Sequence, residues 1–194
     1  MKLLSTLILL FILPIYLQAQ TSRGQSEFTV SYGRASVQQW LHAGSGGGSS
    51  YTSSFDQTGN IFATYRYYLG KNNAIGLTAG IQHFSTLLHD PYYNTTSPTY
   101  YKFTTIAAEF LHNYTNHPHF RAYTYIGTGC SLYTQQFTGF TSSTPSWEKS
   151  VQNYQSFTGQ YVPIGISAGG KLAAFLELGI GYKGVVNGGV SFRI

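Results

Sequence analysis

Charge and sulfur are scarce in this chain: Lys, Arg, Asp and Glu make up 9% of 194 residues, and there is one Cys and one Met. A lone Cys130 excludes an internal disulfide and any site built on several thiolates. With 11 cations against 6 acids and no cluster of Lys and Arg, the formal charge of +5 is too dispersed for a nucleic-acid partner. Long apolar runs are missing as well. After the first turn of sequence the only such run is Leu3 to Leu17, broken by Ser5, Thr6 and Pro14, and a spanning helix needs roughly 20 apolar residues. No later segment could cross a bilayer as a helix.

That run follows Lys2 and leads into Gln18, Ala19 and Gln20, the pattern of a secretory signal peptide over 1–19 with the mature domain over 20–194. A membrane anchor is the rival reading, opposed by the short run and by Pro14. What is plentiful is glycine, 22 residues, and aromatics, 16% of the chain with 17 Tyr. Such a composition is poor in helix formers and rich in strand, turn and interfacial residues.

A period of two runs through the chain. At its end Val186, Gly188, Val190, Phe192 and Ile194 share one face, and Asn187, Gly189, Ser191 and Arg193 the other. The same alternation predicts eight strands: Glu27 to Gly33, Asn60 to Leu69, Ala74 to Phe84, Tyr100 to Asn113, Phe120 to Thr134, Val162 to Ala168, Leu172 to Lys183 and Val185 to Ile194. In the sixth, Val162, Ile164, Ile166 and Ala168 fall on one face; in the fifth, a bulge near Tyr123 could switch the phase. Tight turns at Gly70 to Asn73, Tyr114 to His119 and Gly169 to Lys171 alternate with long polar connections at Arg34 to Thr58, Ser85 to Thr99 and Gln135 to Phe157. The expected fold class is all-β, an eight-stranded antiparallel up-and-down transmembrane β-barrel, with the apolar faces outward and short turns at one end. A closed barrel leaves no strand edge unpaired, which lipid demands.

Signal peptide and closing strands together make the chain resemble the small outer-membrane β-barrel family, of the OmpA transmembrane-domain type and the porin-like barrels of Bacteroidetes. The residues that carry the likeness are Gln20 after Ala19, Tyr125-Ile126-Gly127-Thr128-Gly129, Gly179-Ile180-Gly181-Tyr182-Lys183-Gly184 and Gly189-Val190-Ser191-Phe192-Arg193-Ile194. The resemblance implies residence in the outer membrane of a Gram-negative cell envelope after secretion across the inner membrane. It implies outer-membrane lipid and the barrel-assembly machinery as partners, and no cofactor.

The inward faces supply Arg66, Glu109, Arg121, Glu177, Lys183 and Arg193. Unpaired charge in a narrow tube is costly, so an ionic plug is expected, built around Glu109 and Glu177 with Arg66, Arg121 or Arg193. Such a plug either satisfies the interior or gates a narrow path. Tyr65, Tyr67, Tyr114, Tyr182 and Phe192 are expected to form an outward aromatic girdle. Tyr51, Tyr92, Tyr93, Tyr100, Tyr101, Phe137, Phe140 and Trp147 lie in or beside the long connections, where rings pack together or meet an extracellular ligand.

Two enzymatic or metal patterns are weaker. His83-Phe84-Ser85 resembles the His and Ser pair of outer-membrane lipid A deacylases, with Ser85 as nucleophile, His83 as base and Asp90 as the nearby acid, but Thr86 stands where that family has Asn. His112, His117 and His119 flank one turn without a local Cys, Asp or Glu, so no metal is expected. The leading reading is therefore a non-enzymatic barrel, structural, interacting or narrowly porin-like. The alternatives are the lipid-acting hydrolase and a soluble lipocalin-like barrel with its apolar face turned inward around a ligand.

Overall fold

The computed structural model describes residues 23–37, 56–90, 95–141 and 146–194. The leader over 1–19 and most of the first long connection, Tyr51 included, lie outside those residues, as do Tyr92 and Tyr93. Eight strands follow one another as β1 (Ser26–Arg34), β2 (Asp56–Tyr68), β3 (Asn73–Asp90), β4 (Thr95–Asn116), β5 (Phe120–Thr141), β6 (Ser146–Gly169), β7 (Leu172–Gly181) and β8 (Val186–Arg193). Each pairs antiparallel with its neighbours in chain order, and β8 returns to β1 through pairs running from Glu27↔Arg193 to Arg34↔Val186. The result is a closed up-and-down barrel, from which β6 extends beyond its pairing with β7 and β3 beyond its pairing with β2.

The period of two decides which way each side chain points. Outward go Phe28, Val30 and Tyr32 from β1, Ile75, Leu77 and Ile81 from β3, and Leu176, Leu178 and Ile180 from β7, each 43% exposed or more. Inward go hydroxyls, amides and charges: Thr29, Ser31, Thr64, Thr78, Gln82 and Thr105 are all buried. Glycines on the inner face make room for the large residues opposite them. Gly80 lies under the ring of Phe62 and Gly165 under that of Tyr123, so that a Cβ at either site would overlap the ring.

The strands at the long-connection end are longer than the alternation predicts. Most of what reads as loop between Ser85 and Thr99 is ladder, with β3 reaching Asp90 opposite Thr95, and β5 and β6 remain paired as far as Thr141 and Ser146. Above the rim neither face has to be apolar, so the backbone keeps its hydrogen bonds while the hydropathy period disappears. β4, β5 and β6 have 22, 22 and 24 residues against 9, 10 and 8 in β1, β7 and β8. The excess, about a dozen residues at ~3.3 Å each, forms a palisade with on the order of 40 Å of strand length beyond one side of the barrel.

Two facings differ from the sequence reading. The phase break expected near Tyr123 lies on β6 instead: the register slips between Tyr161 and Ile164 against β7, and between Tyr123 and Tyr125 against β5. Pro163 has no N–H to give to a ladder, and a bulge is where a strand tolerates it. Val162 consequently turns inward, 1% exposed, into a cluster with Tyr68, Ala74, Leu111, Tyr123 and Tyr125. Bonds to the bulged backbone come from side chains, with Thr124 Oγ1 donating to the Val162 carbonyl at 2.7 Å.

Tyr182 is the second case: it does not join the outer girdle but is fully buried. β7 ends at Gly181, whose φ of +145° only glycine adopts without strain, and Gly184 has φ +105°. Between them the chain dips into the barrel mouth. Val185 N–H donates to the Arg34 carbonyl at 2.9 Å and Tyr182 N–H to that of Gly159 at 3.2 Å, so the short connection is laced to both flanks. Tyr65, Tyr67, Tyr114 and Phe192 remain outside, between 38% and 62% exposed.

Candidate functional site

Six of the candidate positions converge in the lumen. Arg66, Glu109, Arg121, Glu177, Lys183 and Arg193 come from β2, β4, β5, β7, the inward turn and β8, and none is more than 4% exposed. A seventh residue, Glu27 at the start of β1, joins them at 1% exposed. It has the same odd parity as the inward Thr29 and Ser31, a signal that the sequence reading left unused.

Glu27 is the lower hub. Arg121 Nη2 approaches its Oε2 at 2.6 Å, Arg193 Nε the same oxygen at 3.1 Å, and Arg66 Nη1 the other oxygen at 3.5 Å. Tyr68 OH donates to Oε2 at 3.3 Å and in turn accepts a short bond from Arg121 Nη1. Arg66 then bridges upward, with Nη2 at 3.2 Å from Glu109 and 3.5 Å from Glu177. At the mouth Lys183 Nζ closes on Glu109 at 2.5 Å, and Tyr182 OH donates to Glu109 Oε1 at 3.0 Å. Glu177 accepts from Tyr123 OH at 2.8 Å, Tyr125 OH at 3.0 Å and Asn187 Nδ2 at 2.6 Å.

Of the expected cations, Arg66 meets both Glu109 and Glu177. Arg121 and Arg193 pair with Glu27, not with Glu109 or Glu177, and Lys183, carried inward by the turn at Gly181 to Gly184, is the cation that meets Glu109. Among the described residues the lumen holds three carboxylates and four cations, linked through Arg66 into one network. Arg66 also lies 5.2 Å from the Tyr125 ring centroid and Lys183 5.1 Å from the same ring, so phenol faces complete the cations' coordination. An eight-stranded barrel encloses little more than its own side chains, and here those side chains meet across it.

The outer face carries a different chemistry. His83 and Ser85 both point outward from β3 and line an open groove of about 410 Å³ with Tyr100, Lys102, Thr134 and Gln136. Asp90, the acid that the sequence pattern nominates, lies five residues further along β3, roughly 16 Å at strand rise, and stands opposite Thr95. The acid in register with Ser85 is Asp56 on β2. Among the described residues no group of three or more His, Cys, Asp and Glu could hold a metal ion. His112 Nδ1 is hydrogen-bonded to Asn73 Oδ1 at 2.7 Å beside the tight turn.

On the inner side of the palisade, rings cross four strands as a ladder. Tyr101, Phe84, Phe103, Tyr133 and Tyr154 stack in sequence with centroids 4.8, 5.6, 5.0 and 4.9 Å apart and planes within 21°. Tyr101, singled out in the sequence as a ring beside a long connection, is one end of it. Tyr100 points to the other face, and the side chains of Phe137, Phe140 and Trp147 lie outside the described residues.

No protein-family model matches the chain, and no curated protein matches it. Among solved structures it is similar to the N-terminal β-barrel domain of OprF from Pseudomonas aeruginosa, with 14% identity over 90% of this chain and 100% of that one and a TM-score of 0.45. It is also similar to Ail, the attachment invasion locus protein of Yersinia pestis. Ail's complex with the heparin analogue sucrose octasulfate gives 10% identity over 89% of this chain and 99% of that one, with a TM-score of 0.47. Ail alone gives 11% identity over the same shares, with a TM-score of 0.46.

Proposed function

We propose that the chain is an integral outer-membrane β-barrel of the Gram-negative envelope, with a lumen closed by its ionic plug, that holds the β3 to β6 palisade outside the cell as a structural and interaction element. The observation that carries this reading is the direction of the apolar rows. Leu176, Leu178 and Ile180 are 46%, 45% and 63% exposed on the outside of a closed barrel whose interior is ionic. Water does not sustain so continuous an apolar outer surface, whereas hydrocarbon does. β1, β7 and β8 have about the length of one tilted crossing of the hydrocarbon layer. A lipocalin-type barrel needs the reverse orientation, with the apolar rows around a ligand.

The barrel-assembly machinery is the partner such a chain needs for insertion, outer-membrane lipid is its solvent, and an extracellular ligand would meet it at the palisade. The narrow porin-like path is the second reading, and it requires the plug to re-pair. Planar-bilayer recordings separate the two. The expected result is no steady conductance step from wild type, Glu109→Gln or Glu177→Gln. Discrete steps that appear only in the variants support a gated path, and steps in wild type overturn closure. In the hydrolase reading Ser85 and His83 share the outward groove; ester release from purified lipid A that is abolished by Ser85→Ala is the outcome that would replace the non-enzymatic assignment.

A further inference from the structure

The outward groove lies at a defined height. Ile81 on β3, Leu132 on β5 and Ile106 on β4 belong to the outer apolar belt, 43% to 62% exposed. One strand step above Ile81 and Leu132, the register aligns His83 with Lys102 and Lys102 with Thr134, and Thr134 with Asn153 on β6. A polar row thus crosses four strands one step above these residues. Two hollows of about 410 and 510 Å³ meet along this row, sharing Lys102 and Thr134 in their walls.

From this arrangement we infer that the row binds the phosphorylated headgroup of an outer-leaflet lipid, with Lys102 as the counter-charge and the acyl chains lying on Ile81, Leu132 and Ile106 below. The inference rests on the outer-membrane reading and adds a ligand to it. Lys102 is exposed, and no carboxylate is among the described side chains lining either hollow. Around it the groups that can donate to phosphate oxygens are the His83 imidazole, the Ser85 hydroxyl and an amide. Thr134 Oγ1 donates to Asn153 Oδ1 at 2.9 Å, which leaves the amide nitrogen of Asn153 as its donating end. An ammonium at the boundary between hydrocarbon and water attracts an anionic headgroup more strongly than it would in bulk water, because the apolar wall beneath lowers the local dielectric.

The test is native mass spectrometry of the full chain released from nanodiscs of phosphatidylcholine mixed with phosphatidic acid. Insertion is scored separately by the shift of the folded band on unheated gels. Wild type is expected to retain phosphatidic acid in preference to phosphatidylcholine. Lys102→Gln is expected to lower that preference about fivefold, the worth of one basic side chain at an anionic surface, with Lys102→Arg keeping it. Normal insertion with no preference in wild type, or an undiminished preference in Lys102→Gln, overturns the headgroup site and leaves the barrel assignment intact. Failure of wild type to insert in either lipid overturns both.

Discussion

Glu27→Gln lowers the free energy of unfolding by about 3–5 kcal/mol in urea titrations of the barrel in lipid vesicles, the cost of removing one partner from a buried ion pair. Three guanidiniums lean on this carboxylate, Arg121 at 2.6 Å, Arg193 at 3.1 Å and Arg66 at 3.5 Å, with the Tyr68 hydroxyl at 3.3 Å. All four partners are 2% exposed or less, so water cannot take the place of the lost charge. Glutamine keeps the volume and one acceptor oxygen, which isolates the electrostatic part of the loss. Because the group is buried in the lumen, the loss changes little with salt, unlike that of a surface pair. Lys171→Gln, at an exposed tight turn, serves as the control and is expected to shift stability by less than about 0.5 kcal/mol. A Glu27→Gln loss no larger than that control would contradict the network described here.

The second large effect lies on the other face. Leu176 is in the middle of β7, 46% exposed and flanked on its own face by Ala174 and Leu178. If hydrocarbon covers that face, Leu176→Arg destabilises the barrel in vesicles by about 2–4 kcal/mol, because a charge at mid-depth must be dragged toward the interface. Asn153→Arg, on β6 above the apolar belt, is expected to cost less than about 1 kcal/mol in the same titration, as charges near the interface do. In a water-soluble barrel both positions would be ordinary surface sites and both substitutions near neutral. The depth dependence, not either value alone, is the signature.

How much of this could be read from sequence depends on the element. β1, β7 and β8 separate a polar interior from an apolar outer face, and that alternation survives in the sequence: Phe28, Val30 and Tyr32 share one face, Thr29 and Ser31 the other. The palisade obeys no such rule: Thr99 pairs with Phe137 and Gln135 with Tyr101, so backbone pairing there leaves no hydropathy period. Val162 and Tyr182 failed for a local reason. Pro163 shifts the register by a bulge, and Gly181 and Gly184 turn the chain inward, and either event inverts the parity on which facing rests. The membership of the interior network was legible from parity, but of its wiring only the place of Arg66 between Glu109 and Glu177 was among the expectations. That Arg121 and Arg193 meet Glu27 while Lys183 meets Glu109 depends on strand stagger around the closed barrel, which periodicity does not encode.

The glycines show the same division. Their concentration on the inner face is visible in the sequence, yet the reason is a pairing across strands. Gly80 faces Phe62 and Gly165 faces Tyr123, each glycine giving its neighbour's ring the space to lie flat against the wall. Tyr123 uses that space to deliver its hydroxyl to Glu177 at 2.8 Å. Small residues and buried charges are thus one design, because the ring that orders the carboxylate needs the room that the glycine leaves.

Collision accessibility of nitroxides tests the orientation of the barrel wall most directly. Single labels replace Leu176, Leu178, Ile180 and Asn153 in a Cys130→Ser background, since Cys130 is itself exposed on the outer face. In vesicles, labels at Leu176, Leu178 and Ile180 are expected to meet dissolved oxygen readily and a water-soluble nickel chelate hardly at all, with the order reversed at Asn153. Free access of the chelate to the three β7 positions would place water where the account requires lipid, and would contradict it.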